Sequence, residues 1–149
     1  MNNADNYTKY AGLISVKDKT ELYTLINNGI KIFGFDGNFN WIDTSEVTDM
    51  SDLFAFATNG IFKRFTGDIS LWNTSNVNNM SKMFYLMEGF NSCIDNWDVS
   101  NVTNMSNMFY KAKKFNSPLN NWDVSNVTDM SYMFPTGKTM YININLLKI

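Results

Sequence analysis

Four stretches of the chain repeat one order of apolar and polar positions. Residues 97–109 read WDVSNVTNMSNMF, 122–134 read WDVSNVTDMSYMF, 72–84 read WNTSNVNNMSKMF and 42–54 read IDTSEVTDMSDLF. Trp72, Trp97 and Trp122 step by 25 residues, and Ile42 fills the tryptophan slot of the first copy, 30 residues before Trp72. Val47, Val77, Val102 and Val127 share one apolar slot, and Met50, Met80, Met105 and Met130 share the slot three later. Leu53, Met83, Met108 and Met133 come next, each followed by Phe54, Phe84, Phe109 or Phe134. Phe65, Phe90 and Phe115, then Ile69, Ile94 and Leu119, complete the set. Self-similarity at a period of about 20–50 residues predicts stacked repeats. Burying about seven large side chains stabilises a unit by about 10–20 kcal/mol. Ordering its backbone costs about 1–2 kcal/mol per residue. A unit therefore needs a neighbour to fold.

The polar slots are as regular. Ser45, Ser75, Ser100 and Ser125 agree, as do Ser51, Ser81, Ser106 and Ser131. The second serine, ahead of x-Met-Phe, predicts a helix N-cap. Each unit is then expected to hold a short strand near residues 102–105, a turn, a short helix from about Ser106, and a loop back. Asn76, Asn101 and Asn126 are expected to bond backbone groups of adjacent turns. The predicted class is an α/β repeat solenoid, with short parallel strands each followed by a short helix and an N-terminal capping helix. Its expected parts are a leading segment 1–41, units 42–71, 72–96, 97–121 and a partial 122–134, and a C-terminal cap strand within 135–149, all one domain.

Outside the repeats the pattern changes. Residues 1–9 are polar, and 11–16 read as a short apolar strand. Asp18, Lys19, Thr20 and Glu21 form a capping-box signature. Leu22, Leu25, Ile26 and Ile30 then make one helical face. Gly29 is expected to weaken or end that helix, with Gly34 and Gly37 in the following loop. The helix is expected to cover the open end of the stack. An insertion, AFATNGIFKR at 55–64, interrupts the period and carries Ile61, Phe62, Lys63 and Arg64. It reads either as a contact loop or as a segment folded back on the core. Ile142, Ile144 and Leu146 alternate as in a strand, which would cap the chain or leave an edge open to self-association.

Composition narrows the chemistry. At 149 residues, 44% hydrophobic, the chain is long enough for one sizeable core. Net charge is −2, with no basic stripe for nucleic acid and no polybasic segment for an anionic membrane. No run of about 18 apolar residues predicts a membrane span, and the opening residues do not read as a signal peptide. There is no histidine, so Ser–His and Cys–His nucleophiles are excluded. The single cysteine, Cys93, fills the slot of Pro118 in the next unit and reads as an ordinary small residue. Neither GxGxxG, nor a P-loop, nor paired zinc-ligand cysteines are present. Carboxylates recur at Asp43, Asp98 and Asp123, and at Asp49 and Asp129. Calcium would want several oxygens, but Asn73, Asn79 and Asn104 interrupt both series, which favours turn capping. No metal, cofactor or catalytic residue is therefore expected. The strict period makes the tryptophans a structural column rather than a sugar platform, and the methionines soft core filling.

Positions that vary between copies are the better place for recognition. Asp52, Lys82, Asn107 and Tyr132 differ in one slot, and Tyr85, Leu86, Glu88 and Gly89 stand against Tyr110, Lys111, Lys113 and Lys114. Amphipathic aromatics dominate contact energetics. The candidate contact residues are accordingly Tyr85, Tyr110 and Tyr132, with Phe62, Lys63 and Arg64 from the insertion.

The phrase W-D-V-S-N-V-T-x-M-S-x-M-F, with F-N and an Ile or Leu between copies, resembles the repeat of bacterial BspA-like leucine-rich-repeat surface proteins. The resemblance covers 42–134 and extends upstream over Thr20, Glu21, Leu22, Leu25 and Ile26. It implies a leucine-rich-repeat-like solenoid and a surface or secreted protein, some members being associated with adhesion to host components or other cells. The expected function is a non-enzymatic interaction or adhesion module that binds protein or glycan through the repeat surface. A structural spacer is the alternative. A metal-assisted hydrolase is poorly served by a histidine-free repetitive chain.

Overall fold

The computed structural model describes residues 12–55 and 60–135. Strand β1 (Ile14–Ser15) precedes helix α1 (Lys19–Phe33) and pairs in parallel with β2 (Ile42–Asp43). A 3-10 turn follows at Ile61–Arg64. The helix begins at the capping box: Asp18 accepts from the N–H groups of Thr20 and Glu21 at 2.8 and 3.0 Å. The Glu21 carboxylate reaches back to the Lys17 N–H rather than to that of Asp18. Leu22, Ile26 and Ile30 are buried on one face. Gly29 does not end the helix. It lies on that buried face, where an added Cβ would stand 2.7 Å from Phe39 Cε1. The stop comes at Gly34, whose φ of 81° is left-handed and whose N–H bonds the Ile30 carbonyl.

The architecture corrects the expectation of an α/β repeat solenoid. Among the described residues there is one α-helix and one two-stranded parallel sheet, not a strand and helix in every unit. The repeats are turns. The residue after each second serine is left-handed: Asp52, Lys82, Asn107 and Tyr132 have φ between 53° and 57°. A right-handed helix cannot pass through such a residue. The serine is not an N-cap either. Its own N–H donates to the oxygen of the Asp or Asn two residues earlier, at 2.8–3.0 Å from Asp49 to Asp129. That Asx turn bends the chain at once, so each strand shrinks to a single bridge. The bridges Asp49–Asn79, Asn79–Asn104 and Asn104–Asp129 are all parallel.

Successive turns are nonetheless tied together in register. The N–H groups of Met50, Asp52 and Phe54 donate to the carbonyls of Asn79, Ser81 and Met83. The same three bonds recur from Met80, Lys82 and Phe84, and again from Met105, Asn107 and Phe109. Asn76, Asn101 and Asn126 each donate their amide to the carbonyl of the serine one layer back, at 2.7 Å. The Trp72, Trp97 and Trp122 indoles donate to the carbonyls of Phe39, Ile69 and Ile94. Phe54, Phe84, Phe109 and Phe134 form a stack with centroids 5.5, 5.4 and 5.9 Å apart. The valine, methionine and phenylalanine columns are buried, except for the half-buried Met130 and Phe134 at their end, and are continuous with the apolar face of α1. The cap strand and edge expected within 135–149 lie, from residue 136 on, outside the described residues, as do the loose residues 1–9.

Candidate interaction surface

Among the described residues, clefts open beside α1 and beside the 3-10 turn. One of about 320 Å³ is lined by Lys19, Thr20, Tyr23 and Leu53. Lys19 bridges it to the first unit, with its ammonium 3.1 Å from Asp49 Oδ2 and 2.8 Å from Ser51 Oγ. A smaller one of about 50 Å³ lies between the 3-10 turn and the second unit, against Phe62, Lys63, Tyr85 and Leu86. Phe62 does not reach the surface. It is 1% exposed and meets the rings of Tyr23 and Phe54 edge-on. The 3-10 turn packs on the core through Phe62, which is removed from the contact residues. Lys63 and Arg64 are exposed, with the Arg64 guanidinium 5.1 Å from the centroid of the Phe35 ring.

The tyrosines divide. Residues 82–86 and 107–111 stack rung on rung because Lys82, Phe84 and Leu86 donate to the carbonyls of Ser106, Met108 and Tyr110. Leu86 and Lys111 are both left-handed, which ends each turn at the same place. That register sets Tyr85 on Tyr110, with centroids 5.3 Å apart and planes 12° from parallel. The Lys111 ammonium lies 5.3 Å from the centroid of Tyr110, within reach of the ring quadrupole. Both tyrosines are half-buried. Tyr132 belongs to the left-handed column of Asp52, Lys82 and Asn107, not to the Tyr85 column, and is 71% exposed. Met87 and Ala112 are buried beneath, and Glu88 pairs with Lys113 at 3.1 Å.

The aspartates serve as turn acceptors. The Ser45 N–H and the hydroxyls of Ser45 and Ser15 hold the Asp43 carboxyl below its usual range. The Ser100 hydroxyl and N–H do the same for Asp98, while Asp123 in the next layer opposes them. Partial burial pushes Asp49 up, but bonds from Ser51 and Lys19 outweigh it. Among the described residues no group of three or more Asp, Glu or Cys side chains is placed to hold a metal ion. The sequence signal for these turns was present in the recurring Asp/Asn-x-Ser. The left-handed slot after the serine carried a partial signal, Asp52 and Asn107 against Lys82 and Tyr132, and the second one, Leu86 and Lys111, carried none.

A family model described as "Mycoplasma protein of unknown function, DUF285" matches residues 20–147. The chain belongs to this family. The DUF285 match takes in α1 from its second residue and all four units, so the helix and the repeats are parts of one family pattern. No match to this DUF285 protein is found among curated proteins or among solved structures.

Proposed function

We propose that this DUF285 protein is a non-enzymatic interaction or adhesion module that holds a protein or glycan against the outer surface of its stacked turns. The Tyr85–Tyr110 pair carries the reading. Two large amphipathic side chains stand half-exposed on a rigid ladder, and rigid aromatics lose little entropy on binding. The residues beside them differ from unit to unit, while the buried slots hardly differ. The resemblance to BspA-like surface proteins supports the adhesive sense of the reading.

The test is binding of the full chain to an array of cell-surface glycans and proteins, repeated with the Tyr85→Ala/Tyr110→Ala variant. Loss of at least about tenfold in affinity, or about 1.4 kcal/mol, is expected for any captured ligand. Equal binding by a variant with an unchanged melting temperature would remove the tyrosine surface as the site.

A further inference from the structure

The register of the turns gathers cations that are spread along the sequence. Gly89 donates its N–H to the Lys63 carbonyl at 3.2 Å, and Lys114 donates to the Glu88 carbonyl at 3.1 Å. Residues 60–64, 82–89 and 107–114 thus lie as three adjoining rungs. They contain Lys63, Arg64, Lys82, Lys111, Lys113 and Lys114, six of the chain's 12 lysines and arginines, and all six are exposed. Their one carboxylate is Glu88, which faces Lys113. Among the described residues no carboxylate forms an ion pair with Lys63, Arg64, Lys82, Lys111 or Lys114. A chain of net charge −2 therefore presents one strongly basic face. Crowded like charges raise the energy of the free protein and favour an anionic partner.

The tyrosines within this face narrow the partner further. A sugar ring or nucleobase stacks on an open aromatic face. Here Tyr85 and Tyr110 cover one another, and Lys111 lies by the Tyr110 ring. Stacking takes one face of each ring, and the ring edges and hydroxyls stand among the lysines, an arrangement that suits carboxylates and peptide groups.

We propose that this face docks an acidic polypeptide segment, with carboxylates against the lysine rows and the chain crossing the tyrosine edges. The proposal rests on the interaction-module reading above and names the partner's chemistry. It is tested by titrating the full chain with poly-L-glutamate, with heparin as the sulfated-glycan arm. Poly-L-glutamate is expected to bind, to weaken at least about tenfold in Lys63→Glu/Lys111→Glu/Lys114→Glu, and to weaken between about 0.05 and 0.5 M salt. The Lys→Gln version of the triple variant serves should charge reversal disturb folding, with thermal melts as the control. No binding, binding unaffected by the triple variants, or tighter binding of heparin at matched charge overturns the proposal. An array ligand lost in Tyr85→Ala/Tyr110→Ala but retained in the charge variants overturns it while leaving the interaction-module reading in place.

Discussion

Tryptophan shows how one residue type takes two roles in this fold. Trp97 lies parallel to Trp72 at 6.3 Å, and its indole N–H donates to the Ile69 carbonyl at 3.1 Å. Trp41 sits beside the rings of Phe33 and Phe39, and its indole nitrogen is buried with no hydrogen-bond partner among the described residues. A buried donor left unpaired costs about 1–3 kcal/mol. Trp97→Phe removes one of the two bonds that the Ile69 carbonyl accepts, leaving that from the Trp72 N–H, and is expected to destabilise by about 1 kcal/mol. Trp41→Phe removes a stranded donor and is expected to cost less than about 1 kcal/mol, or to stabilise. Urea unfolding of the two variants checks this, and equal losses would contradict it. The role of the column was legible, because three tryptophans at one period must occupy one environment. Trp41 stands outside the period, and nothing in its neighbours marked its nitrogen as unpaired.

At the scale of elements, α1 was legible and the units were not. The helix has a cap signal, an apolar face and a glycine stop, and each acts locally. Two details differ: Glu21 bonds the Lys17 N–H instead of that of Asp18, and the helix runs on through Gly29. Its lack of a side chain serves packing against Phe39 and Trp41 rather than chain reversal. Gly29→Ala should gain helix propensity of about 1 kcal/mol. The clash with Phe39 is expected to reverse that gain, giving a net loss of about 1–2 kcal/mol in thermal unfolding. A stabilised variant would show that Phe39 yields freely. In the units, Ser-x-Met-Phe looks like a helix start because serine caps helices. The Asx oxygen two residues earlier claims the serine N–H instead, and the next residue turns left-handed. Local side-chain bonds of this kind compete with regular structure, and here they prevail in every unit.

Across the whole molecule, the Asx turns link stability to pH. The carboxyls of Asp43, Asp49, Asp68, Asp98, Asp123 and Asp129 are all held below their ordinary value in the folded chain. A carboxyl with a lowered folded pKa contributes stability above its unfolded pKa, near 3.9, and loses it as pH falls through the folded value. The melting temperature is thus expected to be flat near neutrality and to fall as pH drops below about 4. Asp98→Asn should flatten that fall while keeping the turn, since Asn73 and Asn104 already accept the equivalent bonds. Melts from acid to neutral pH decide, and a curve with no acid limb would count against the carboxylates. Asn79 and Asn104 also separate Asp49 from Asp129, and Asn73 separates Asp43 from Asp98, whereas Asp98 and Asp123 stand in neighbouring layers and repel.

The sequence by itself determined the period, the identity of the buried columns, the capped helix and the amide ties between layers. Each of these follows from spacing or from a side chain acting on near neighbours. Only the tertiary structure decided that the units are turns rather than strand–helix pairs, that Phe62 belongs to the core, and that scattered lysines share a face. Those outcomes depend on which of two nearby oxygens takes a backbone N–H, and on which rungs come to rest side by side. A one-dimensional pattern of apolar and polar residues encodes neither.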